Sequence, residues 1–246
     1  MNLDYIIPNN WSILEEGFDP NQVKASESLF SIGNGAMGQR ANFEEQYSGP
    51  TFQGSYIAGV YYPDKTRVGW WKNGYPEYFA KVLNAPSWIG IDIKINNEPL
   101  DLFASKKVES FRRELNMKEG WLSRSFKITL QNDVELQVET KRFLSLDLDE
   151  VGAIEYSVTP LNSNADLVIT PYIDAGIENE DSNYDEFFWE ILEIVEGENS
   201  GCILSKTLKT EFHVSTAMQI ALALNNKTIS VPQETKVEDK KLTYTY

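Results

Sequence analysis

The sequence has only one cysteine and one histidine, and their scarcity excludes several kinds of site. Cys202 has no second cysteine to pair with, which excludes an internal disulfide framework and a thiolate metal cluster. His213 is equally alone, so a histidine-rich zinc site is excluded and a Ser-His-Asp triad would have to be built around this residue. We expect no metal and no organic cofactor, and we expect His213 to be a surface or edge residue rather than a catalytic base.

Positive charge is also scarce. The 22 Lys and Arg residues face 37 Asp and Glu residues, which gives a formal net charge of -15 at pH 7 and repels nucleic-acid phosphates and anionic bilayers. No apolar run approaches the roughly 20 residues that span a bilayer, and the first ten residues, "MNLDYIIPNN", lack the basic start and apolar core of a secretion signal. These absences predict a cytoplasmic protein with no nucleic-acid partner and no membrane association.

What the sequence does contain is a regular alternation of apolar and polar residues. Isoleucine occupies every second position from 89 to 95, Asn96-Asn97 then supplies turn residues, and the alternation resumes at Leu100. The same construction recurs over 122–138, around a turn at Asn132-Asp133. Because a period of two places the apolar side chains on one face of a strand, both stretches are predicted to be antiparallel hairpins.

Further strands are predicted over 153–161, 165–173, 212–224 and 241–246. The segment 183–199 fits both a helical stripe and alternation, and its aromatic and β-branched content favours a strand. The alternating pattern over 241–246 stops in the middle of a strand, which suggests that the polypeptide continues in a larger protein. The predicted fold class is therefore all-β, a large antiparallel sandwich of two sheets with long loops.

The stretch "SLFSIGNGAMGQR", residues 28–40, combines three glycines with an Asn-Gly pair. It matches the dinucleotide spacing G-x-G-x-x-G literally, but the surrounding hairpins are not the βαβ unit which that site needs. The stretch also lacks the Lys and Ser or Thr that complete a phosphate loop. We interpret it as a tight turn at Asn34-Gly35 that joins a strand over 29–32 to a strand over 36–40.

Aromatic residues are concentrated in one region. Residues 51–88 hold ten of the thirty aromatics of the chain, among Gly, Pro, Lys and Asn. Such a loop region suits the C–H face and the hydroxyls of a sugar, and it equally suits an interdomain or subunit contact, which we favour. The candidates for the rim of a substrate pocket or for such a contact are Trp70, Trp71, Lys72, Asn73 and Tyr75.

Two groups of charged residues are expected at the surface. Arg40, Glu44 and Glu45 follow the Gly-rich turn and are predicted to form a solvated ion-pair face. The second group is predicted to form cross-strand ion pairs worth about 0.2–1 kcal/mol each: Arg112, Arg113 and Arg124 with Glu114 and Glu119.

Several stretches taken together, in order over nearly the whole chain, resemble a known family. They are "ESLFSIGNGAMGQRANFEE", "NAPSWIGIDIKINNEPLDL", "FRRELNMKEGWLSRSF", "TKRFLSLDLDEVGAIEYSVTPLN" and "DAGIENEDSNYDEFFW". The set resembles the N-terminal domain of glycoside hydrolase family 65, which includes maltose, trehalose and kojibiose phosphorylases and related hydrolases. The stretch "YYPDKTRVGWWKNGYPEYFAKVLNAP" is most similar to the maltose-phosphorylase-like members.

The resemblance implies a large supersandwich of the galactose mutarotase-like type, with residues 1–246 forming a single N-terminal domain. The catalytic glutamate and the phosphate-binding residues would lie on a following (α/α)6 barrel that is absent here, so no catalytic residue is assigned and the fragment alone is expected to be inactive. The parent enzyme would be a homodimer that cleaves an α-glucosyl disaccharide with inverting chemistry, using inorganic phosphate as co-substrate and releasing glucose and β-glucose 1-phosphate. The alternatives are a family 65 hydrolase of kojibiose or trehalose type, or a stand-alone carbohydrate-binding module.

Overall fold

The computed structural model describes residues 5–65, 76–162, 164–179 and 187–246. Within these ranges, no helix has the length and apolar character needed to cross a bilayer. The described residues form one helix, α1 (Val23–Leu29), and the following strands in chain order: β1 (Ile6–Pro8), β2 (Ser12–Glu16), β3 (Ile32–Gly33), β4 (Met37–Gln39), β5 (Ser55–Ile57), β6 (Tyr61–Lys65), β7 (Tyr78–Val82), β8 (Ser87–Ile95), β9 (Glu98–Pro99), β10 (Lys107–Asn116), β11 (Trp121–Thr129), β12 (Glu135–Leu144), β13 (Gly152–Pro160), β14 (Leu167–Asp174), β15 (Trp189–Gly197), β16 (Ser200–Thr207), β17 (His213–Gln219), β18 (Leu222–Leu224), β19 (Lys227–Ile229), β20 (Glu234–Glu238) and β21 (Lys241–Thr245).

The largest sheet has six antiparallel strands in the order β1-β2-β10-β11-β12-β13. Strands β11 and β12 form the predicted hairpin around Asn132-Asp133, where Asp133 has a φ of 65°. Its inward-facing side chains, such as Phe126 and Val138, are fully buried. The alternation that predicted this hairpin therefore reflects one face turned to the core and one to solvent.

The second sheet has five strands in the order β20-β21-β14-β8-β9, all antiparallel. The turn between β8 and β9 is the predicted one, and both Asn96 and Asn97 adopt positive φ, at 51° and 67°. Such a pair of left-handed residues is what a two-residue hairpin turn requires, and asparagine tolerates it.

The two large sheets share one hydrophobic core, which confirms the predicted sandwich. Ile93 and Ile95 of β8 pack in the same cluster as Phe126 of β11 and Leu136 of β12. A third sheet, β15-β16-β17, packs on the five-stranded sheet in a separate cluster through Ile203. The segment that fitted either helix or strand is strand β15 of this sheet.

Strand β17 lies at the edge of the third sheet, and its first residue, His213, is exposed as predicted. The long strand predicted over 212–224 is wrong in its extent, because β17 ends at Gln219 and β18 begins at Leu222. The partner strand begins at Ser200, directly opposite Gln219, so the ladder has no further residue to pair with.

The segment before the Gly-rich turn also differs from the prediction. A strand was expected from residue 29, but α1 occupies Val23–Leu29 and buries Val23, Ser26 and Glu27 at helical spacing. The strands around the turn are accordingly shorter than predicted, covering Ile32–Gly33 and Met37–Gln39.

Candidate functional site

The five candidate residues from the aromatic-rich region, Trp70, Trp71, Lys72, Asn73 and Tyr75, lie outside the described residues. In sequence they fall between β6 and β7, which pair antiparallel with Tyr61 opposite Val82 and Lys65 opposite Tyr78. What the structure describes is the hairpin that flanks them.

The base of this hairpin is firmly packed. Tyr62 is 1% exposed, and its ring centroid lies 4.7 Å from that of Phe188 in an edge-on arrangement. Tyr61 pairs similarly with Phe212, at 5.4 Å between centroids. One face of the hairpin, in contrast, presents large apolar side chains to solvent, a feature typical of interaction surfaces: Tyr61, Tyr78 and Val82. Phe79 is also exposed, on the opposite face of β7.

Buried amides fix the end of the hairpin to its neighbours. The backbone N–H of Asn84 donates to Oδ1 of Asn179 at 2.9 Å, and Nδ2 of Asn179 donates to the carbonyl of Val82 at 2.9 Å. The indole N–H of Trp189 donates to the carbonyl of Asn84 at 2.8 Å. Because these groups are buried, their hydrogen bonds hold β7, residue 179 and β15 in one arrangement. Sequence analysis missed this network, since an isolated asparagine has no distinguishing pattern.

The inner face of the six-stranded sheet carries an ionic cluster that the sequence analysis placed at the surface. Strand register aligns five polar residues in one row across the sheet: Glu15, Arg113, Arg124, Thr140 and Tyr156. The segment 41–46 covers the row and adds Glu44 and Glu45, and Arg142 joins from β12. The row separates the core cluster around Phe126 from the cluster around Leu122.

Arg124 is the centre of this cluster. Its Nη2 donates to Glu44 Oε2 at 2.7 Å and to Glu45 Oε2 at 2.6 Å, and its Nη1 donates to Glu45 Oε1. Arg142 Nη1 lies 3.1 Å from Glu44 Oε1, and the Tyr156 hydroxyl donates to Glu45 Oε2 at 3.1 Å. Every carboxylate oxygen of Glu44 and Glu45 is therefore engaged.

The pKa of each glutamate follows from how deeply it is buried and how closely it is paired with an arginine. Burial alone would raise the pKa of Glu44, but Arg142 and Arg124 outweigh it and hold that pKa below its usual value. Glu15 has a weaker partner, since its Oε2 lies 3.3 Å from Arg113 Nη1 without hydrogen-bond geometry. Burial therefore dominates there, and the pKa of Glu15 is raised. Three arginines and three glutamates make the cluster neutral overall when all six are charged.

The surface predictions for these residues are corrected accordingly. Glu44 and Glu45 are 3% exposed rather than solvated. Arg40 does not pair with them, and it donates instead to the carbonyls of Phe52 and Lys24. A row of charges can be buried here because the opposite charges are supplied from a segment distant in sequence.

The predicted cross-strand pairs are confirmed only in part. Arg112 forms an exposed pair with Glu114 at 3.1 Å, but both residues lie on β10, and its cross-strand partner is Glu16 of β2 at 3.0 Å, a residue that was not predicted. Arg113 is 1% exposed, and like Arg124 it faces the core. Glu119 accepts from the indole N–H of Trp121 at 2.6 Å instead of pairing with an arginine.

The Gly-rich stretch is a turn, as predicted, with a single residue at positive φ, Gly35 at 93°. Asn34 organises it. Its Oδ1 accepts from the N–H groups of Ala36 and Met37 at 3.1 and 2.7 Å, and its Nδ2 donates to the carbonyls of Ser145 and Asp149 at 2.7 and 2.9 Å. These backbone N–H groups are already bonded within the turn, so they do not form a phosphate cradle.

Comparison with known proteins assigns the family. Residues 13–246 match the family model described as "Glycosyl hydrolase family 65, N-terminal domain". The chain is 46% identical over 204 residues to maltose phosphorylase of Bacillus subtilis (strain 168), a match covering 83% of this chain and 27% of that protein. It is 30% identical over 234 residues to alpha,alpha-trehalose phosphorylase of Thermoanaerobacter brockii, covering 89% of this chain and 30% of that protein.

A solved structure described as "Putative kojibiose phosphorylase from human microbiome" superposes with a TM-score of 0.84 at 25% identity. The superposition covers 98% of this chain and 30% of that one. The chain thus spans under a third of the length of these relatives. On the match over residues 13–246, the chain belongs to glycosyl hydrolase family 65 as an N-terminal domain of that family.

Proposed function

We propose that residues 1–246 form the single, non-catalytic N-terminal domain of a longer cytoplasmic phosphorylase that acts on maltose or a closely related α-glucosyl disaccharide. The observation that carries this proposal is the 46% identity to a maltose phosphorylase, over a match that covers 27% of that protein. The rest of such a polypeptide would supply the catalytic barrel.

The proposed reaction is an inverting phosphorolysis. An acid of the catalytic domain protonates the glycosidic oxygen, phosphate attacks the anomeric carbon from the opposite face, and the products are glucose and β-glucose 1-phosphate. Inorganic phosphate is then a co-substrate, and no other cofactor is required. The net charge of -15 disfavours phosphate binding on this domain itself.

The two glutamates that Arg124 binds support a non-catalytic role. A glycosidase acid must release its proton to the leaving group. Glu44 and Glu45 are instead held by two arginines and a tyrosine, with no oxygen free. Their geometry serves to join segment 41–46 to the six-stranded sheet.

The hairpin of β6 and β7 is the proposed contact to the catalytic barrel. Its base is fixed by buried rings and amides, and one face exposes Tyr78 and Val82. A rigid base with an exposed apolar side suits a docking element, and Trp70, Trp71, Lys72, Asn73 and Tyr75 would then approach the rim of the pocket. We also propose that the longer protein is a homodimer, because exposed apolar side chains suit a contact between subunits as well.

The reaction is tested by incubating the longer protein with maltose, trehalose or kojibiose, with and without inorganic phosphate. The proposal predicts glucose release from maltose only in the presence of phosphate, with β-glucose 1-phosphate in equal amount, as resolved by proton NMR of the anomeric position. Glucose release at the same rate without phosphate would identify a hydrolase and refute the proposed reaction.

A further inference from the structure

A cavity of about 230 Å³ opens between segment 43–53 and the two adjacent strands β8 and β14. The segment reaches the edge of β8, where the N–H of Ile91 donates to the carbonyl of Glu44 at 2.8 Å. The walls are therefore a sheet on one side and, on the other, a segment whose position the ionic cluster fixes. A cavity of this size is smaller than the roughly 300–1,000 Å³ pockets of drug-sized ligands, and it suits one small ring.

The sheet side of the cavity is built around a glycine. Gly90 and Tyr172 are paired across β8 and β14, and the tyrosine ring lies so close to Gly90 that a Cβ atom there would overlap Cζ of the ring. The Nζ of Lys241 lies 3.5 Å from the centroid of the same ring. Because backbone and ammonium both contact it, the Tyr172 ring is held in one orientation before any ligand arrives.

Several polar groups of the wall have unused hydrogen-bonding capacity. Among the described residues, the hydroxyl of Tyr47 is buried without a hydrogen-bond partner. Gln46 and Gln53 line the cavity with exposed side chains, and Asp92 is partly buried, with Lys241 and Lys94 as its electrostatic neighbours. A buried polar group without a partner, here the Tyr47 hydroxyl, is rare in folded proteins and calls for water or a ligand. Together these side chains offer amide donors, amide and carboxylate acceptors and a hydroxyl.

The charge of the wall selects the class of ligand. The described lining contains two carboxylates, Glu45 and Asp92, and neither a lysine nor an arginine. Glu45 is already neutralised by Arg124, and burial raises the pKa of Asp92. Anions such as phosphate would be repelled by these carboxylates, and Lys241 and Lys94 already partly offset the charge of Asp92, so a cation gains little there. A neutral ligand with several hydroxyl groups uses all the vacant donors and acceptors.

We propose that this cavity binds a single neutral, hydroxyl-rich ring of monosaccharide size, with Asp92 accepting hydrogen bonds from two hydroxyl groups and Gln46 and Gln53 bonding to others. The proposal is independent of the reaction of the longer protein. A failure of either one leaves the other standing, because binding is measured on the 246-residue chain without turnover.

The test is a titration of the 246-residue chain with glucose, followed by amide chemical shifts and by isothermal titration calorimetry. For one small ring we expect a Kd of about 1–10 mM. Asp92→Asn, which keeps the shape and removes the charged acceptor, should weaken binding at least about tenfold. Gln46→Ala, at an exposed position, should weaken it by about threefold to tenfold.

Matched controls lie outside the cavity. Asp166→Asn and Gln219→Ala make the same chemical changes at exposed positions and should leave the Kd within about twofold. Circular dichroism verifies the fold of each variant. If Asp92→Asn does not fold, the test is the Kd for glucose of Gln46→Ala compared with that of Gln219→Ala.

Three outcomes would overturn the proposal. One is the absence of a saturable response to glucose at about 100 mM, ten times the weakest expected Kd. Another is equal affinity of Gln46→Ala and the unchanged chain. The third is displacement of glucose by inorganic phosphate, which would show that an anion occupies the cavity.

Discussion

Replacing Arg124 by methionine should destabilise the protein more than any single surface-charge substitution. The methionine fills similar space but removes three hydrogen bonds to Glu44 and Glu45. Glu45 then keeps only the Tyr156 hydroxyl, and Glu44 keeps only Arg142. Removing one partner of a buried ion pair leaves an uncompensated charge and costs about 3–5 kcal/mol of unfolding free energy.

The matched control is Arg112→Met on β10, the strand that pairs with the strand of Arg124. Arg112 also contacts two glutamates, but its side chain is 44% exposed, and exposed pairs contribute about 0–1 kcal/mol. Urea unfolding monitored by tryptophan fluorescence and circular dichroism gives both values. A difference of less than about 1 kcal/mol between the two variants would refute the claim that the cluster is buried and charged.

Three further predictions concern stability. Burial raises the pKa of Glu27, so the folded state holds its proton more tightly and stability falls as pH rises from the unfolded pKa to the folded pKa. Glu15 and Asp92 contribute slopes of the same sign, so Glu27→Gln should make the fall in stability shallower in urea titrations at successive pH values. Gly201→Ala places a Cβ atom into overlap with neighbouring side chains and should lower the unfolding free energy by about 1–3 kcal/mol. Asn34→Ala removes four hydrogen bonds and should speed amide exchange over 145–149, at a cost of about 1–2 kcal/mol.

Each of these predictions has its own control. Gly38→Ala is the counterpart of Gly201→Ala, because its nearest neighbouring atom would lie at an ordinary 3.8 Å; equal losses in the two variants would contradict the steric argument. Unchanged exchange over 145–149 in Asn34→Ala would show that the side chain does not hold that segment. A pH slope in Glu27→Gln identical to that of the unchanged protein would assign the slope to another carboxyl.

The hairpins were predictable because their determinants are local. Alternating isoleucines and an Asn-Asn pair define both the strands and the turn between β8 and β9 within about a dozen residues. The positive φ of Asn96 and Asn97 follows from the same short stretch. Periodicity and turn residues therefore sufficed for the strand pairs closest in sequence.

The ionic cluster was not predicted, because it depends on pairing between distant segments. Glu15 meets Arg113 across 98 positions of sequence only when β2 and β10 pair in their observed register. One local signal was present: Arg124 lies at the inward position between Leu122 and Phe126, where alternation requires an apolar residue. An arginine on the apolar face of a strand predicts a buried carboxylate partner, and its identity requires the three-dimensional structure.

One comparison tests whether residues 1–246 support catalysis by the rest of the longer protein without catalysing the reaction themselves. Glucose release from maltose plus phosphate is measured for the longer protein, for residues 1–246 alone and for the longer protein with residues 1–246 removed. We expect turnover by the intact polypeptide and none by residues 1–246. Phosphate-dependent turnover by the 246-residue chain alone would contradict it.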